Sequence, residues 1–230
     1  MKIIELKDLL LTKYAIARML YGLKLLILRG YTKETKWFLF NNERKKYEFK
    51  LNPGSLVLDI GSYKGYYAQK IIAKNPGIKV EMYEPIQEYS DFSRALLKNK
   101  DVNAYPLAVT GNGQPVLFYV DGLRTSATST AGAEFEEIVR PSVSIESLIE
   151  NHGQIDLIKL NIEGAEFEIL EQLIRARKLK SFNSYLIQFH NIEENSALRV
   201  ESIREELEKS HVCVFQVDWK WDLWQIKSTG

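Results

Sequence analysis

The stretch that decides the fold is Leu56-Val57-Leu58-Asp59-Ile60-Gly61-Ser62-Tyr63-Lys64-Gly65. Its apolar beginning predicts a buried β-strand, its two glycines predict a tight turn, and the residues after Gly65 predict a helix. Glycine allows a backbone to approach a ligand closely, and the first turn of a helix presents free amide hydrogens. The stretch therefore predicts a nucleotide-binding turn, although an ordinary turn between a strand and a helix would show the same pattern.

The charge and spacing around this turn distinguish between nucleotide ligands. A dinucleotide site would need Gly-x-Gly-x-x-Gly, whereas Ser62 follows Gly61 here and no third glycine lies in register. An acid, Asp59, stands two residues before the first glycine and suits a ligand that carries a positive charge. S-adenosylmethionine (SAM), a sulfonium compound with an amino-acid tail, is such a ligand. The turn therefore indicates SAM as a candidate ligand.

A second acid, Glu84, ends the next apolar run, Val80-Glu81-Met82-Tyr83. It comes about 20 residues after the glycine turn, where the acid of a doubly wound fold accepts hydrogen bonds from ribose hydroxyls. The alternative is that Glu84 only favours the N-terminus of the helix that follows Pro85. The distance from Gly61 and Gly65 favours the ribose interpretation.

Length, charge and cysteine content limit the class of protein. The 230 residues predict one large α/β domain with an extra segment, and the single cysteine, Cys213, excludes an internal disulfide and fits a reducing compartment. The formal net charge of +1 gives no general attraction to nucleic acid. The charge is uneven, because residues 1–50 contain 12 Lys or Arg and 5 Asp or Glu. No apolar run has the roughly 18–20 residues of a membrane span.

Strand-like and helix-like patterns alternate after residue 54. Strands are predicted near 55–60, 78–84, 102–107, 155–161 and 184–190, and helices near 64–75, 86–99, 145–151, 163–178 and 196–209. This alternation predicts parallel strands joined by right-handed crossovers. Residues 113–143 break the rhythm and predict an insertion over the C-terminal edge of the sheet. Two final strand-like runs, Cys213–Val217 and Leu223–Ile226, predict an antiparallel hairpin.

Polar side chains also follow two later predicted strands. Asn161 and Glu163 come after one of them, and His190 ends another. Because ligands of an open sheet lie outside the carboxyl ends of its strands, these side chains are expected near the cofactor. A histidine there is a natural general base near neutral pH, and a histidine that only caps or packs is the alternative. Glu163, Glu166 and Glu168 also fit the ordinary role of acids at a helix N-terminus.

Four motifs follow one another along the chain. They are Asp59-Ile60-Gly61-Ser62-Tyr63-Lys64-Gly65, Tyr83-Glu84-Pro85, Ile158-Lys159-Leu160-Asn161-Ile162-Glu163-Gly164-Ala165-Glu166 and Gln188-Phe189-His190. Together they resemble the FkbM family of SAM-dependent methyltransferases over residues 54–227. The resemblance implies an α/β, Rossmann-like class I methyltransferase fold, with a mostly parallel sheet and a C-terminal antiparallel hairpin. It also implies SAM as cofactor and methyl transfer to an oxygen, often a hydroxyl of a sugar, glycolipid or secondary metabolite.

The resemblance and the motifs give a set of predicted site residues. The predicted cofactor-binding residues are Asp59, Gly61, Ser62, Tyr63, Gly65, Glu84 and, near the adenine, Ala108. His190 is the predicted base, and Asn161 and Glu163 are predicted to orient the acceptor or the methionine end of SAM. The family usually has aspartate where Asn161 stands and glutamate where Gln188 stands, so two negative charges are lost. We therefore predict that no metal ion is held at these positions.

The predicted function is O-methylation of a glycan, glycolipid or secondary metabolite. One alternative is a catalytically altered homologue that binds SAM or a glycan without turnover, and another is a nicotinamide oxidoreductase on the same fold class. The expected partner is a small-molecule or glycan acceptor, and nucleic acid is not expected.

The N-terminal segment, residues 1–50, precedes the methyltransferase domain predicted at 51–230. Residues 3–28 predict an amphipathic helix with an apolar arc on one side and basic residues on the other. The arc would pack on the domain or on a second subunit, as in a homodimer. The alternative is that residues 1–30 lie flat on an anionic membrane surface. We accordingly predict a cytoplasmic protein, with peripheral contact at the inner membrane surface under the second alternative.

Overall fold

The computed structural model describes residues 42–98, 100–120, 125–126 and 136–228, together with Leu20, Lys24 and Ile27. The chain divides into two units, Met1–Phe49 and Lys50–Gly230. In the first unit, Asn42–Tyr47 forms a 3₁₀ helix. Leu20, Lys24 and Ile27 are helical and exposed, and the rest of the predicted amphipathic helix lies outside the described residues. The domain boundary at residue 50 stays a prediction.

The second unit contains alternating strands and helices. The strands are β1 Leu56–Ile60, β2 Lys79–Tyr83, β3 Val102–Tyr105, β4 Ala108–Thr110, β5 Val116–Val120, β6 Thr125–Ser126, β7 Glu136–Arg140, β8 Ser142–Ser144, β9 Leu157–Leu160, β10 Ser184–Ile187, β11 His211–Val217 and β12 Trp221–Ile226. The α-helices are α1 Tyr66–Lys74, α2 Gln87–Leu96, α3 Ile145–His152, α4 Glu166–Arg175 and α5 Ser196–Glu208, and Leu179–Ser181 is a 3₁₀ helix.

In the main sheet, β1 lies between the strands that follow it early in the chain and the strands that come late in the chain. Within the described ranges its order is β11-β12-β10-β9-β1-β2-β3. β1 pairs in parallel with both β2 and β9, β9 pairs in parallel with β10, and β2 with β3. The chain first moves from β1 to β2 and later returns to the other side of β1. Such a reversal leaves a crevice at the carboxyl ends of the strands, which is where open α/β sheets bind ligands.

The core forms because the central strands bury apolar side chains on both faces. Val57 and Leu58, which are neighbours in β1, and Leu157 and Ile158, which are neighbours in β9, are all 0% exposed, and neighbours in a strand point to opposite faces. Helices cover both faces of such a parallel sheet, so its strands read as nearly continuous apolar runs. α4 packs its own apolar side chains against this layer, including the fully buried Phe167. This packing fixes the loops that leave the ends of β1 and β9.

Two small sheets depart from the predicted pattern. The strand predicted at 102–107 ends at Tyr105, because Pro106 has no amide hydrogen to donate to a strand ladder. The chain resumes as β4, which pairs in parallel with β8. The predicted insertion at 113–143 contains β5 and β7 as an antiparallel pair, and β6 pairs with the end of β5. That these strands cover the C-terminal edge of the main sheet stays a prediction.

The C-terminal hairpin of β11 and β12 is antiparallel, as predicted. It also enters the main sheet, because β12 pairs antiparallel with β10 and lies between β10 and β11. Ile187 at the end of β10 lies opposite Asp222 at the start of β12. The turn of the hairpin therefore lies at the edge where β10 ends.

Candidate active site

The carboxyl ends of β1, β2, β9 and β10 lie at one edge of the main sheet. Gly61, Glu84 and Asn161 directly follow the first three of these strands, and His190 follows β10 after two residues. We call this edge, together with the loops that begin there, the polar edge. The fold therefore brings predicted cofactor-binding and predicted catalytic residues to the same side of the sheet.

The turn after β1 places two glycines in the left-handed backbone region. Gly61 has a φ of +72°, and a Cβ atom on it would lie 2.1 Å from the carbonyl oxygen of Asn161. Gly65 has a φ of +71°, and its amide donates to the carbonyl of Ser62 at 2.9 Å. Tyr63, between them, has a φ of 51°, which is costly for a residue with a side chain. Close packing against the β9 loop thus requires glycine at position 61, and no larger residue fits.

Three other predicted cofactor residues differ in their exposure to solvent and in the hydrogen bonds that they already make. Ser62 is 4% exposed, whereas Tyr63 is 41% exposed and meets the ring of Tyr89 edge-on at a centroid distance of 4.6 Å. Ala108 is buried in β4, and its amide donates to the carbonyl of Pro141 at 3.0 Å. The Ala108 amide is therefore already engaged, so any contact with adenine would come from its methyl group or its carbonyl.

Glu84 is fixed by backbone amides from both sides. Its Oε2 accepts a hydrogen bond from the amide of Tyr63 at 2.9 Å, and its Oε1 accepts one from the amide of Ile86 at 3.0 Å. Burial raises the pKa of the Glu84 carboxyl, and the two amides and Lys159 oppose that rise. A carboxylate oxygen can accept more than one hydrogen bond. Glu84 is therefore held rigidly at the end of β2 with acceptor capacity left for ribose hydroxyls.

Asp59 is paired with a buried lysine. Lys159 in β9 lies directly opposite Asp59, and its Nζ is 2.9 Å from Asp59 Oδ1. The side chains of Asp59 and Lys159 are 0% and 4% exposed. Lys159 Nζ also donates a hydrogen bond to the carbonyl of Gly61 at 2.8 Å. The charge of Asp59 is thus compensated inside the protein and is not left free for a sulfonium, and direct contact between Asp59 and SAM stays a prediction.

The loop after β9 is also held in an unusual conformation. Glu163 has a φ of 52° and Gly164 a φ of +111°. A Cβ atom on Gly164 would lie 2.3 Å from Cδ1 of Ile192, which is the end of a flexible side chain, so the left-handed φ is the main reason for glycine there. The Glu163 side chain is 57% exposed. Non-glycine residues with a positive φ are concentrated at functional sites. Tyr63 and Glu163 are two such residues, and they lie on two different loops of the polar edge.

His190 lies between two carboxylates. Its Nδ1 is 3.0 Å from Oε1 of Glu166, and its Nε2 is 3.5 Å from Oε1 of Glu163, too far for a good hydrogen bond. Burial lowers the pKa of His190, but the hydrogen bond and charge of Glu166 and the charge of Glu163 raise it, while Lys159 lowers it. The net effect is a pKa above the usual value for histidine. The ring is therefore anchored through Nδ1 and presents Nε2 toward the loop of Glu163.

The structure also places in the site Lys159 and Glu166, which are not among the site residues predicted from the sequence. Lys159 stands inside an otherwise apolar strand, and a buried lysine must have a partner, so its position was the available signal. Glu166 was explained as a charge at a helix N-terminus. It is 0% exposed and lies at helical spacing from Ile169, Leu170 and Leu173, all of them buried. That spacing indicates the core face of α4, where an acid needs a specific partner.

Unsatisfied buried polar atoms are gathered at the polar edge. Among the residues that the structure describes, atoms without a hydrogen-bond partner there include Ser62 Oγ, Asn161 Oδ1 and His190 Nε2. Most buried polar groups in folded proteins have partners, so these atoms indicate a ligand. The ribose hydroxyls and amino-acid tail of SAM carry donors and acceptors of the required kinds. The donor and acceptor set of the polar edge therefore fits SAM.

Over the described part of the chain, no group of three or more His, Cys, Asp or Glu side chains has the arrangement of a metal site. Metal independence stays a prediction. Likewise, no helix among the described residues is long and apolar enough to cross a membrane. The predicted compartment and membrane contact remain predictions.

The glycine turn after β1, the acid after β2 and a β12 inserted antiparallel into a parallel sheet define the class I SAM-dependent methyltransferases. The family model described as the Methyltransferase FkbM domain matches residues 59–217. The chain belongs to this family, and its cofactor is SAM. The fold class and the family resemblance deduced from the sequence are confirmed, and the nicotinamide alternative is left without support.

Solved structures with a similar fold are distant in sequence. Precorrin-6y C5,15-methyltransferase from Geobacter metallireducens is 14% identical, with 83% of this chain and 88% of that chain covered and a TM-score of 0.43. The fibrillarin pre-rRNA processing protein of Methanococcus jannaschii is 12% identical, with 77% and 69% covered and a TM-score of 0.47. A putative methyltransferase from Streptococcus mutans in complex with SAH is 10% identical, with 81% and 96% covered and a TM-score of 0.47. No curated protein matches the chain.

Proposed function

We propose that this chain transfers the methyl group of SAM to a hydroxyl of a glycan, glycolipid or secondary-metabolite acceptor, with His190 as the general base. The observation that carries the proposal is the His190 ring, which is anchored through Nδ1 at the edge where the glycine turn and Glu84 also lie. Its Nε2 is buried and, among the described residues, has no hydrogen-bond partner. A proton acceptor in this position suits an oxygen nucleophile, which must lose its proton during methyl transfer.

Three other parts of the polar edge have roles in this proposal. Bound SAM supplies a methyl group on a sulfonium, which is already an activated electrophile. Glu84 holds the ribose hydroxyls, and the turn from Gly61 to Gly65 lets the cofactor approach the backbone. Asn161 orients the acceptor or the methionine end of the cofactor. The chain thereby aligns the acceptor oxygen with the methyl group, which is the main contribution expected of such a site.

The acceptor class rests on the kind of polar atoms that remain available. Glu163 presents a half-exposed carboxylate, and Asn161 presents an amide oxygen that has no partner in the described part of the chain. Both oxygens accept hydrogen bonds, which hydroxyl groups donate. Two hydrogen-bond acceptors at the site support an acceptor molecule with several hydroxyls, such as a sugar. Nucleic acid is not proposed as the acceptor.

Product analysis tests this proposal. The protein is incubated with methyl-labelled SAM and a panel of neutral sugars, lipid-linked glycans, hydroxylated metabolites and RNA. We expect the label on a hydroxyl oxygen of a member of the first three groups, identified by NMR of the purified product. His190→Gln should abolish most of the transfer and still bind SAM. Labelling of RNA, or of a nitrogen or carbon atom, would contradict the proposal.

A second function is favoured by one observation. Asn161 and Gln188 are amides where the family usually has acids, so the chain has lost two negative charges at the ends of β9 and β10. A homologue that binds SAM or a glycan without turnover would fit this loss. Tight SAM binding with no labelled product across the whole panel would favour this second function.

A further inference from the structure

A buried carboxylate lies behind the ring that the proposed function uses as a base. Glu166 begins α4 and its side chain is 0% exposed. Its Oε1 accepts a hydrogen bond from the amide of His190 at 2.8 Å and lies 3.0 Å from the Nδ1 of His190. Its Oε2 accepts a hydrogen bond from the amide of Gly164 at 2.8 Å. One carboxylate therefore joins the start of α4, the loop after β9 and the loop after β10.

These contacts determine which nitrogen of His190 carries the hydrogen. Both oxygens of Glu166 accept hydrogen bonds from backbone amides, so Glu166 acts as an acceptor on both sides. A carboxylate offers only acceptors, so the Nδ1 that lies 3.0 Å from it is the donor. In the neutral ring, Nε2 then has the free lone pair. In histidine, the hydrogen bond that one ring nitrogen makes commonly determines whether the other ring nitrogen carries a hydrogen.

The surroundings of the ring make Glu166 the dominant neighbour. Glu163 approaches Nε2 from the loop after β9, but at 3.5 Å and with a side chain 57% exposed to solvent. Lys159, in β9, acts on the ring in the opposite sense. Solvent weakens the influence of an exposed charge, whereas a fully buried charge in hydrogen-bond contact keeps its effect. Glu166 thus governs both the orientation and the charge of the ring.

We propose that Glu166 is a positioning residue that holds His190 in the Nδ1–H form, so that Nε2 can accept the proton of the acceptor hydroxyl. This inference rests on the proposed function for its chemical purpose, but the pairing itself is independent of turnover. When Nε2 takes the proton, the ring becomes an imidazolium next to the buried carboxylate of Glu166. Glu166 stabilises that cation and so makes His190 a stronger base than an isolated histidine.

Glu166→Gln tests the pairing with one atom changed. A glutamine presents one oxygen and one NH₂ group, whereas Glu166 receives amide donors on both sides. Whichever way the glutamine turns, one donor loses its acceptor, and the negative charge beside His190 is gone in either case. Glu168→Gln is the matched control, because Glu168 lies in the same helical turn and its Oε1 accepts from the amide of Gly111 at 3.0 Å, away from His190.

Nitrogen-15 NMR of labelled histidines, recorded on the full chain without cofactor over a pH titration, gives a readout separate from activity. His190→Gln identifies the His190 signals by their absence. We expect the parent to show the Nδ1–H form with a pKa above the usual value, Glu166→Gln to show a lower pKa, and Glu168→Gln to match the parent. In turnover, Glu166→Gln should lower kcat by about 10–1000-fold and leave the KM for SAM unchanged.

The possible results separate the two proposals. An Nε2–H form in the parent, or a His190 pKa equal in the parent and in Glu166→Gln, would overturn the positioning role. A shift as large in Glu168→Gln would overturn it too, because any nearby charge would then suffice. If the NMR results are as expected but no protein transfers a methyl group, the pairing stands and the proposed function fails.

Discussion

Lys159→Met removes the ammonium that compensates Asp59 and leaves a carboxylate that is 0% exposed without its counter-ion. It also removes the donor to the Gly61 carbonyl at 2.8 Å, so the cofactor turn loses its support. Removing one partner of a buried ion pair costs about 3–5 kcal/mol. Total stabilities are on the order of 5–15 kcal/mol, so the variant should be near the limit of folding.

Urea unfolding of four proteins measures this effect. Besides the parent and Lys159→Met, the set contains Asp59→Asn/Lys159→Met, in which no charge is left unpaired, and Lys178→Met as a surface control. Lys178 is 30% exposed and lies 3.7 Å from Glu146, so its loss should cost at most about 1 kcal/mol. The double variant should recover much of the stability that the single variant loses, because it buries no uncompensated charge. A Lys159→Met protein as stable as the Lys178→Met control, or a double variant less stable than the single one, would refute this reasoning.

Four further predictions concern the base, the glycine turn, the N-terminal segment and the metal independence of turnover. Because His190 must be neutral to accept a proton and its pKa is raised, turnover should increase with pH through a value above the usual 6.5, and a pH profile of kcat for the parent checks this. Folding stability should change with pH in the opposite direction to turnover. The contribution of the charged His190 ring to the free energy of unfolding is complete below the unfolded-state pKa and is lost as pH rises through the folded-state pKa. Gly61→Ala should destabilise the fold by more than about 2 kcal/mol, because the new Cβ atom would clash at 2.1 Å at a position that already has a left-handed φ. Gly153→Ala is the control in the same unfolding assay. Gly153 has a φ of +71° and nothing within 4 Å of an added Cβ atom, so this variant measures the cost of the φ alone. Deleting residues 1–30 should weaken the fold or a dimer, as read by thermal unfolding and light scattering, and salt-sensitive flotation of the parent with anionic liposomes would instead support the membrane alternative. Turnover should also continue in the presence of a chelator, and its loss with recovery on adding magnesium would contradict the predicted metal independence.

The elements of the fold were predictable because they depend on local patterns. The buried strand and glycine turn at 56–65 and the five predicted helices all appear in the structure within a few residues of their expected bounds. The strand predicted at 102–107 runs past its true end at Tyr105, which Pro106 marks because it has no amide hydrogen to donate to a strand ladder. The insertion of β12 between β10 and β11 depends on pairing between distant segments, which periodicity does not encode.

The position of the site residues at the ends of strands could be predicted from the sequence. The contacts between their side chains were harder to predict. That Gly61, Glu84, Asn161 and His190 follow neighbouring strands could be deduced from chain order and the rules of open sheets. The roles of Lys159 and Glu166 could not be assigned in the same way, because a charge in an apolar pattern shows that a partner exists without showing which one. The left-handed backbone of Tyr63 and Glu163 likewise results from packing across loops, since neither residue type favours that conformation.

Glu84 is the residue on which binding of the cofactor is expected to depend most directly. Calorimetric titration with SAM and with its demethylated product tests this in the parent, in Glu84→Ala and in Glu88→Ala, an exposed acid of α2 that serves as control. Circular dichroism first establishes that each variant is folded. We expect both ligands to bind the parent and the control alike, and Glu84→Ala to lose about 1–3 kcal/mol of binding free energy, because two ribose hydroxyls would then lack their acceptor. Equal affinity of a folded Glu84→Ala protein and the parent would contradict the assignment of the cofactor site to the ends of β1 and β2.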